Sequence, residues 1–336
     1  MFNIVQRRKW FFLISGILIL AGLVSMAISI ATYPEHSPVR LSIDFVGGSL
    51  LEMEFKPLPN TQTSGAITEA TLTSVFSSFG LKDVRIQRLG EVGATATNRW
   101  QVRTNFIDNE TTEKLKTALD AAGKPLGLQL DRDTLRFNQV TPTVGSEVTR
   151  AAVVAVVVAS FAVMGWIVYA FRGIPDSFRY GVCAVLAMIH DILVMVSAMS
   201  IMGLVFGWEA DALFLTGLLT VVGYSVQDTI VVFDRIRENS ARHRGEPYDM
   251  IINRSIMETF QRSISMQVVV AFVLVSLYLM GGSSIRQFVG VLLIGLLSGT
   301  YSSTFTAIPL LAAWEAGQLP FVSRNRDRSR SVVARA

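Results

Sequence analysis

Long apolar runs alternate with short polar breaks along this chain, apart from one polar stretch of domain size that follows the first run. A helix of roughly 20 apolar residues crosses the hydrocarbon core of a bilayer, and runs of that order cover residues 10–31, 151–171, 181–206, 211–233, 262–281 and 286–314. The pattern predicts a polytopic α-helical membrane protein with six transmembrane helices. In the fifth run only Val268 to Met280 is continuously apolar, so that helix must reach back through Gln267 and Ser265 to Arg262 in order to cross. Pro247 opens a further segment with Tyr248, Ile251, Ile252, Ile256 and Phe260 on one side, which reads as a separate amphipathic helix on the inner leaflet.

The polar stretch, residues 32–150, has a different period. LLEMEF, KDVRIQRL, RWQVRTN and DTLRFNQV read as strands, and ITEATLTSVFSSFG and NETTEKLKTALDAAG as helices. The order βαββαβ predicts one α+β ferredoxin-like domain between the first two spans, with two helices covering a four-stranded sheet.

Composition agrees with a membrane protein: 51% of the residues are hydrophobic and only 17% charged, too oily for a water-soluble domain. The net charge of +4 is spread over short basic clusters beside apolar runs, which argues against specific nucleic-acid binding and for membrane orientation. Arg7, Arg8 and Lys9, then Arg172 and Arg179, then Arg235, Arg237, Arg242, Arg244 and Arg254 fall on one side with the tail arginines. The short loops of the other side carry only Arg286. The positive-inside rule then makes residues 1–9 and the basic tail 315–336 cytoplasmic, sets 32–150 outside, and leaves 151–314 as a five-helix transmembrane domain. The first run, with no small-x-small cleavage site before Tyr33 and Pro34, reads as an uncleaved anchor. Cys183, the single cysteine, reads as a packing residue.

Enzymatic chemistry finds little support. Gly123-Lys124 is followed by Pro125 and has no upstream glycine at P-loop spacing, so no ATPase is visible. His36, His190 and His243 lie in different segments, with neither HExxH nor a Cys/His metal spacing, and no GxSxG elbow occurs. Neither a metal nor a cofactor is expected.

Charge inside the spans is the informative signal. An ionised side chain at the centre of a spanning helix costs about 2.5–3.5 kcal/mol even on a mild insertion scale, so Asp191, Asp228 and Arg262 each need a reason. At 1.5 Å per residue Asp228 lies about 26 Å from the outer end of its helix and Arg262 about 28 Å from the outer end of the next, level enough to pair. Asp191, after His190, is about 15 Å deep and the most central charge. Thr216, Thr220, Gly223, Tyr224, Gln227 and Asp228 share one helix face, suited to close helix approach or to lining a hydrated path. Two readings fit: acids that take and release protons, or a static Asp228–Arg262 pair with a protonated, hydrogen-bonded Asp191. Arg262 could equally snorkel to the inner headgroups, and Arg235 and Arg237 read as boundary anchors.

At these residues the chain resembles the SecD/SecF family of accessory subunits of the bacterial Sec translocase. The resemblance rests on GYSVQDTIVVFDRIREN in the fourth span, SIDFVGGSLLEMEF after the first, FRGIPDSFRYG and IHD at the third, TFQRS entering the fifth and YLMGG leaving it. The family usually has Asn-Asp at Gln227-Asp228, Gly-Ile-Asp at Ser42-Ile43-Asp44 and Arg-Thr at Arg262-Ser263. The resemblance implies a multi-pass subunit of the bacterial cytoplasmic membrane that acts with SecD. Through the SecYEG channel, and indirectly the ATPase SecA, it would help draw unfolded polypeptide across at a late stage, using the proton motive force. It makes Asp228 the proton-carrying group, Arg262 its electrostatic partner and Gln227 a hydrogen-bonding neighbour, with Tyr224 and His190 nearby. Asp44, Gly47, Gly48, Asp234 and Arg235 carry the family motifs, and Asp191 is added on its depth alone. Two other functions remain open: half of a resistance-nodulation-division exporter of small molecules, for which the outer region is small, and a proton-inert translocon scaffold.

Overall fold

The computed structural model describes residues 4–58, 66–81, 84–89, 98–172, 177–243, 245–281 and 283–318. Contacts divide the chain into a helical unit, Met1–Arg40 with Val154–Ala336, and a sheet unit, Leu41–Val153.

The apolar runs form α1 (Arg8–Thr32), α5 (Pro142–Ala170), α6 (Ser177–Phe206), α7 (Ala212–Arg242), α8 (Tyr248–Met280), α9 (Ser283–Ser302) and α10 (Ile308–Glu315), which make up the helical unit apart from the part of α5 before Val154. A π-helical turn, Ser303–Ala307, joins the last two. Pro309 explains it: a proline has no N–H to give the carbonyl four residues back, so the ladder slips by one residue there. Six described segments are long and apolar enough to cross a membrane.

Prolines mark helix starts, as expected of a residue that fits only the first turn: Pro142 opens α5 and Pro247 precedes α8. The segment after Pro247 is not a separate surface helix. It is the first third of α8, a helix of 33 residues that at 1.5 Å per residue is about 50 Å long. Ile252 and Ile256 pack with Phe233, Ile236 and Ile308 in the buried core, so protein rather than lipid covers the amphipathic face. Phe171, Tyr180 and Phe233 stack and edge against one another in the same core, with Cys183 fully buried beside them.

Helices α7 and α9 are in close contact at Gly295, where a Cβ would lie 2.3 Å from Val221 Cγ2. A glycine there leaves room for the Val221 side chain. By contrast α5 and the later turns of α8 leave their large apolar side chains, among them Phe161, Trp166, Phe272 and Leu279, exposed, as suits a lipid or a partner helix.

The sheet unit contains α2 (Ile43–Val46), β1 (Gly48–Pro57), α3 (Glu69–Ser78), β2 (Arg85–Arg88), β3 (Arg99–Thr104), α4 (Asn109–Gly123), β4 (Leu128–Leu130) and β5 (Arg136–Val140). The sheet runs β2-β3-β1-β4, all antiparallel, and β5 pairs β1 as well. Ten residues long, β1 takes β4 at Phe55–Pro57 and β5 at Gly48–Glu52. The four strands of the sequence reading are thus five: its last strand is β5, and the short Leu-Gln-Leu of β4 is additional. Leu51, Met53 and Phe55, alternating along β1, meet Leu72 and Phe76 of α3 and Leu115 and Leu119 of α4 in one core. Parts of two sequence-predicted elements, Lys82–Asp83 of the second strand and the tail 319–336, lie outside the described residues.

A polar cluster and a small cavity between the spanning helices

Two carboxylates sit at neighbouring faces of α7, and the sequence spaces them so. Ser225 and Asp228 are three residues apart, about 60° around the helix and about 4.5 Å along it. Ser225 faces inward to α6 and α9, whereas Asp228 faces α8.

On the inner side Asp191 of α6 is 1% exposed. Three hydroxyls donate to it: Ser225 Oγ to Oδ2 at 2.5 Å, Ser302 Oγ to Oδ2 at 2.6 Å and Ser298 Oγ to Oδ1 at 2.7 Å. His190 Nδ1 lies 3.3 Å from Oδ1, its ring stacked on Tyr301 at 6.2 Å, while its buried Nε2 has no partner. Burying a carboxylate in a membrane protein is costly unless donors surround it, and three hydroxyls from two helices meet that need. Ser298 and Ser302 can both reach because they stand four residues apart on one face of α9.

On the outer side Asp228 is half-buried. Ser263 Oγ donates to its Oδ1 at 3.1 Å and Gln267 Nε2 to its Oδ2 at 2.9 Å. Both donors come from α8, again four residues apart. A cavity of about 50 Å³ adjoins the carboxylate, lined by Tyr224, Gln227, Arg262 and Gln267 among others. Gln267 Oε1 is buried without a hydrogen bond. The donor set therefore also holds an idle acceptor.

Arg262 does not pair with Asp228. Among the described residues no ion pair within 4.0 Å joins them, and Arg262 is exposed at the edge of the cavity. Helix geometry gives the reason: Ser263 and Gln267 occupy the stripe of α8 that faces Asp228, and Arg262 is turned about 100° away from Ser263. The structure thus brings Tyr224, Gln227, Asp228 and Arg262 to one cavity and keeps Asp191 and His190 apart; the two hydrogen-bonding shells share no residue.

The motif residues fall into two further places. Ser42 caps α2 by accepting from the Asp44 amide at 3.1 Å, and Gly47 and Gly48 have φ of 83° and 129°, backbone that favours glycine. A Cβ on Gly48 would meet Thr104 O at 2.7 Å. The Gly-Gly pair is therefore needed to turn the chain from α2 into β1. At the end of α7, Asp234 pairs with Arg237, and Arg235 binds Glu238 and, at 2.6 Å, Glu258 of α8. Arg235 is thus a tie between two helices, more than the boundary anchor the sequence suggests. Ser225, Ser263, Ser298, Ser302 and Gln267 escaped the sequence reading as carboxylate partners. Ser263 and Gln267, and Ser298 and Ser302, stand four residues apart, a spacing visible in the sequence that does not say which neighbour they meet.

Taken together, the fold and site define a multi-pass membrane protein with a mixed α/β domain between its first two spans and with one buried and one half-buried carboxylate at neighbouring faces of one helix. The family model described as protein export membrane protein SecD/SecF, C-terminal, matches residues 124–317, and the SecD/SecF GG motif matches residues 36–57. The chain is 44% identical to the protein translocase subunit SecF of Anaerolinea thermophila over 95% of this chain and 96% of that one. It is 40% identical to SecF of Thermobaculum terrenum over 94% of each. The crystal structure of SecDF, a translocon-associated membrane protein from Thermus, superposes with a TM-score of 0.71 at 26% identity, over 94% of this chain and 39% of that one. The chain belongs to the SecD/SecF protein-export family.

Proposed function

We propose that this chain is the SecF-type accessory subunit of a Sec translocase and that Asp228 binds and releases protons to couple export to the proton gradient. The association with SecD and the Sec machinery follows from the family; the SecYEG channel, and SecA acting through it, are the proposed route by which unfolded polypeptide is handled. The observation that carries the proton reading is the neighbourhood of Asp228. Two neutral donors stabilise the carboxylate, while the unpartnered Gln267 Oε1 and the Ser263 oxygen can accept from the carboxyl O–H once a proton arrives. The same neighbours thus serve both protonation states, and the adjoining cavity can hold a water.

Arg262 enters as a mobile cation beside this site, able to favour the ionised form on approach. Asp191 enters as an anchor, tied by three hydroxyl donors from α7 and α9. The reading is of a transport subunit without its own chemistry on a substrate. The cell inner membrane is the proposed site, with both termini cytoplasmic and the sheet unit outside. The strand order β2-β3-β1-β4 with two helices on one face supports reading the sheet unit as ferredoxin-like.

The test is preprotein export into sealed inverted vesicles carrying wild-type, Asp228→Asn or Arg262→Ala protein, matched for assembly with SecD. Export by both variants should fall to the level measured without a gradient. Wild-type export under a gradient would favour an inert scaffold instead.

A further inference from the structure

Two openings lie along the α7–α8 interface. One is the cavity of about 50 Å³ at Asp228. The other is a vestibule of about 430 Å³ toward the α7–α8 turn, lined by Asp234, Arg235, Glu238 and Glu258 together with Val231 and Arg262. Charged walls and that volume make it a place for water. Val231 and Arg262 line both openings, so these two side chains form the wall between them.

The two halves of the wall differ in mobility. Val231 is β-branched, half-buried and stiff at χ1. Arg262 is long and exposed, and makes no hydrogen bond or ion pair among the described residues. One turn earlier on α8 stands Glu258, and a glutamate four residues before an arginine is the favourable order for a helical ion pair. Glu258 is held by Arg235 at 2.6 Å and Asn239 at 2.8 Å, so Arg262 would compete with Arg235 for it. The remaining acids of the vestibule are already engaged, Asp234 by Arg237 and Glu238 by Arg235 and Arg242.

We infer that the vestibule is the aqueous port through which Asp228 exchanges protons with the side bearing the α7–α8 turn, and that Arg262 is its gate. The gate is shut when the guanidinium stands between the openings and open when it swings back to Glu258. This rests on the reading of Asp228 as a proton carrier.

The test is thiol access in the assembled complex, in inverted vesicles, with Cys183 replaced by alanine and silver ion as the probe. Ile230→Cys reports the vestibule and Val270→Cys the Asp228 cavity. Ile230→Cys should react readily whatever stands at position 262. Val270→Cys should react about tenfold faster in an Arg262→Ala chain than in its Arg262 parent, as removal of a modest barrier requires. Glu258→Gln, which keeps the shape but removes the alternative partner, should slow Val270→Cys below the parent. An unreactive Ile230→Cys overturns the port. Equal rates at Val270→Cys with and without Arg262 overturn the gate, and an unchanged rate in Glu258→Gln overturns its open position. None of these rates needs a gradient or export, so their failure is separate from failure of the Asp228→Asn export test.

Discussion

Asp191 and Asp228 show how the same side chain meets different neighbours around one helix. Asp191 is enclosed by hydroxyls from α7 and α9 and joins three helices at one point. Asp191→Ala would leave Ser225, Ser298 and Ser302 to find other acceptors. Intramembrane hydrogen bonds average about 0.6 kcal/mol each, so the three together predict a loss of roughly 2 kcal/mol. Thermal unfolding of the purified complex should show it as a lower midpoint, and an unchanged midpoint would remove the anchor role. Both acids were legible in the sequence because a charge within an apolar run stands out by its cost. Their serine partners were not, since a serine inside a helix often bonds its own backbone four residues back, as Ser197 and Ser276 do here. Nothing in one sequence says which serines instead reach across. The orientation of Arg262 was equally hidden: depth along a helix can be counted, but which of two adjacent residues faces the neighbour depends on how the helices are rotated.

Among the elements, α7 does most to place the site, pressed against α9 on one side and α8 on the other. The α7–α9 contact depends on Gly295, whose missing side chain admits Val221. Gly295→Leu should therefore push the helices apart, disturb the hydroxyls around Asp191 and lower the yield of assembled complex, measured by co-purification with SecD. Normal assembly would show that α9 can yield at this point. The apolar runs made the spanning helices readable, since only length and composition are needed. The continuity of α8 was not, because Ile252 and Ile256 show the same period whether lipid or Phe233 and Ile308 cover them. Likewise β4, with three residues, is too short to present an alternation, and only its pairing with the far end of β1 reveals it.

For the whole molecule, the change of hydrophobic period after the first span separated an α/β unit from a helical one before any coordinates. The proposed direction of threading, with the sheet unit outside, rests on the placement of the arginines alone. Thr73 lies on an exposed face of α3. With Cys183 replaced, Thr73→Cys should react with an impermeant maleimide in spheroplasts and not in sealed inverted vesicles; the reverse pattern would invert the topology. The proposed function asks one thing of the helical unit, that the Asp228 carboxyl change its proton state while the chain remains in place. The most direct measurement is infrared difference spectroscopy of the SecD-bound protein across a pH titration, comparing wild type with Asp228→Asn. A protonated-carboxyl band that rises and falls reversibly with pH in wild type and is missing from Asp228→Asn is the predicted result. A spectrum in which Asp228→Asn and wild type titrate alike would contradict the proton-carrying role.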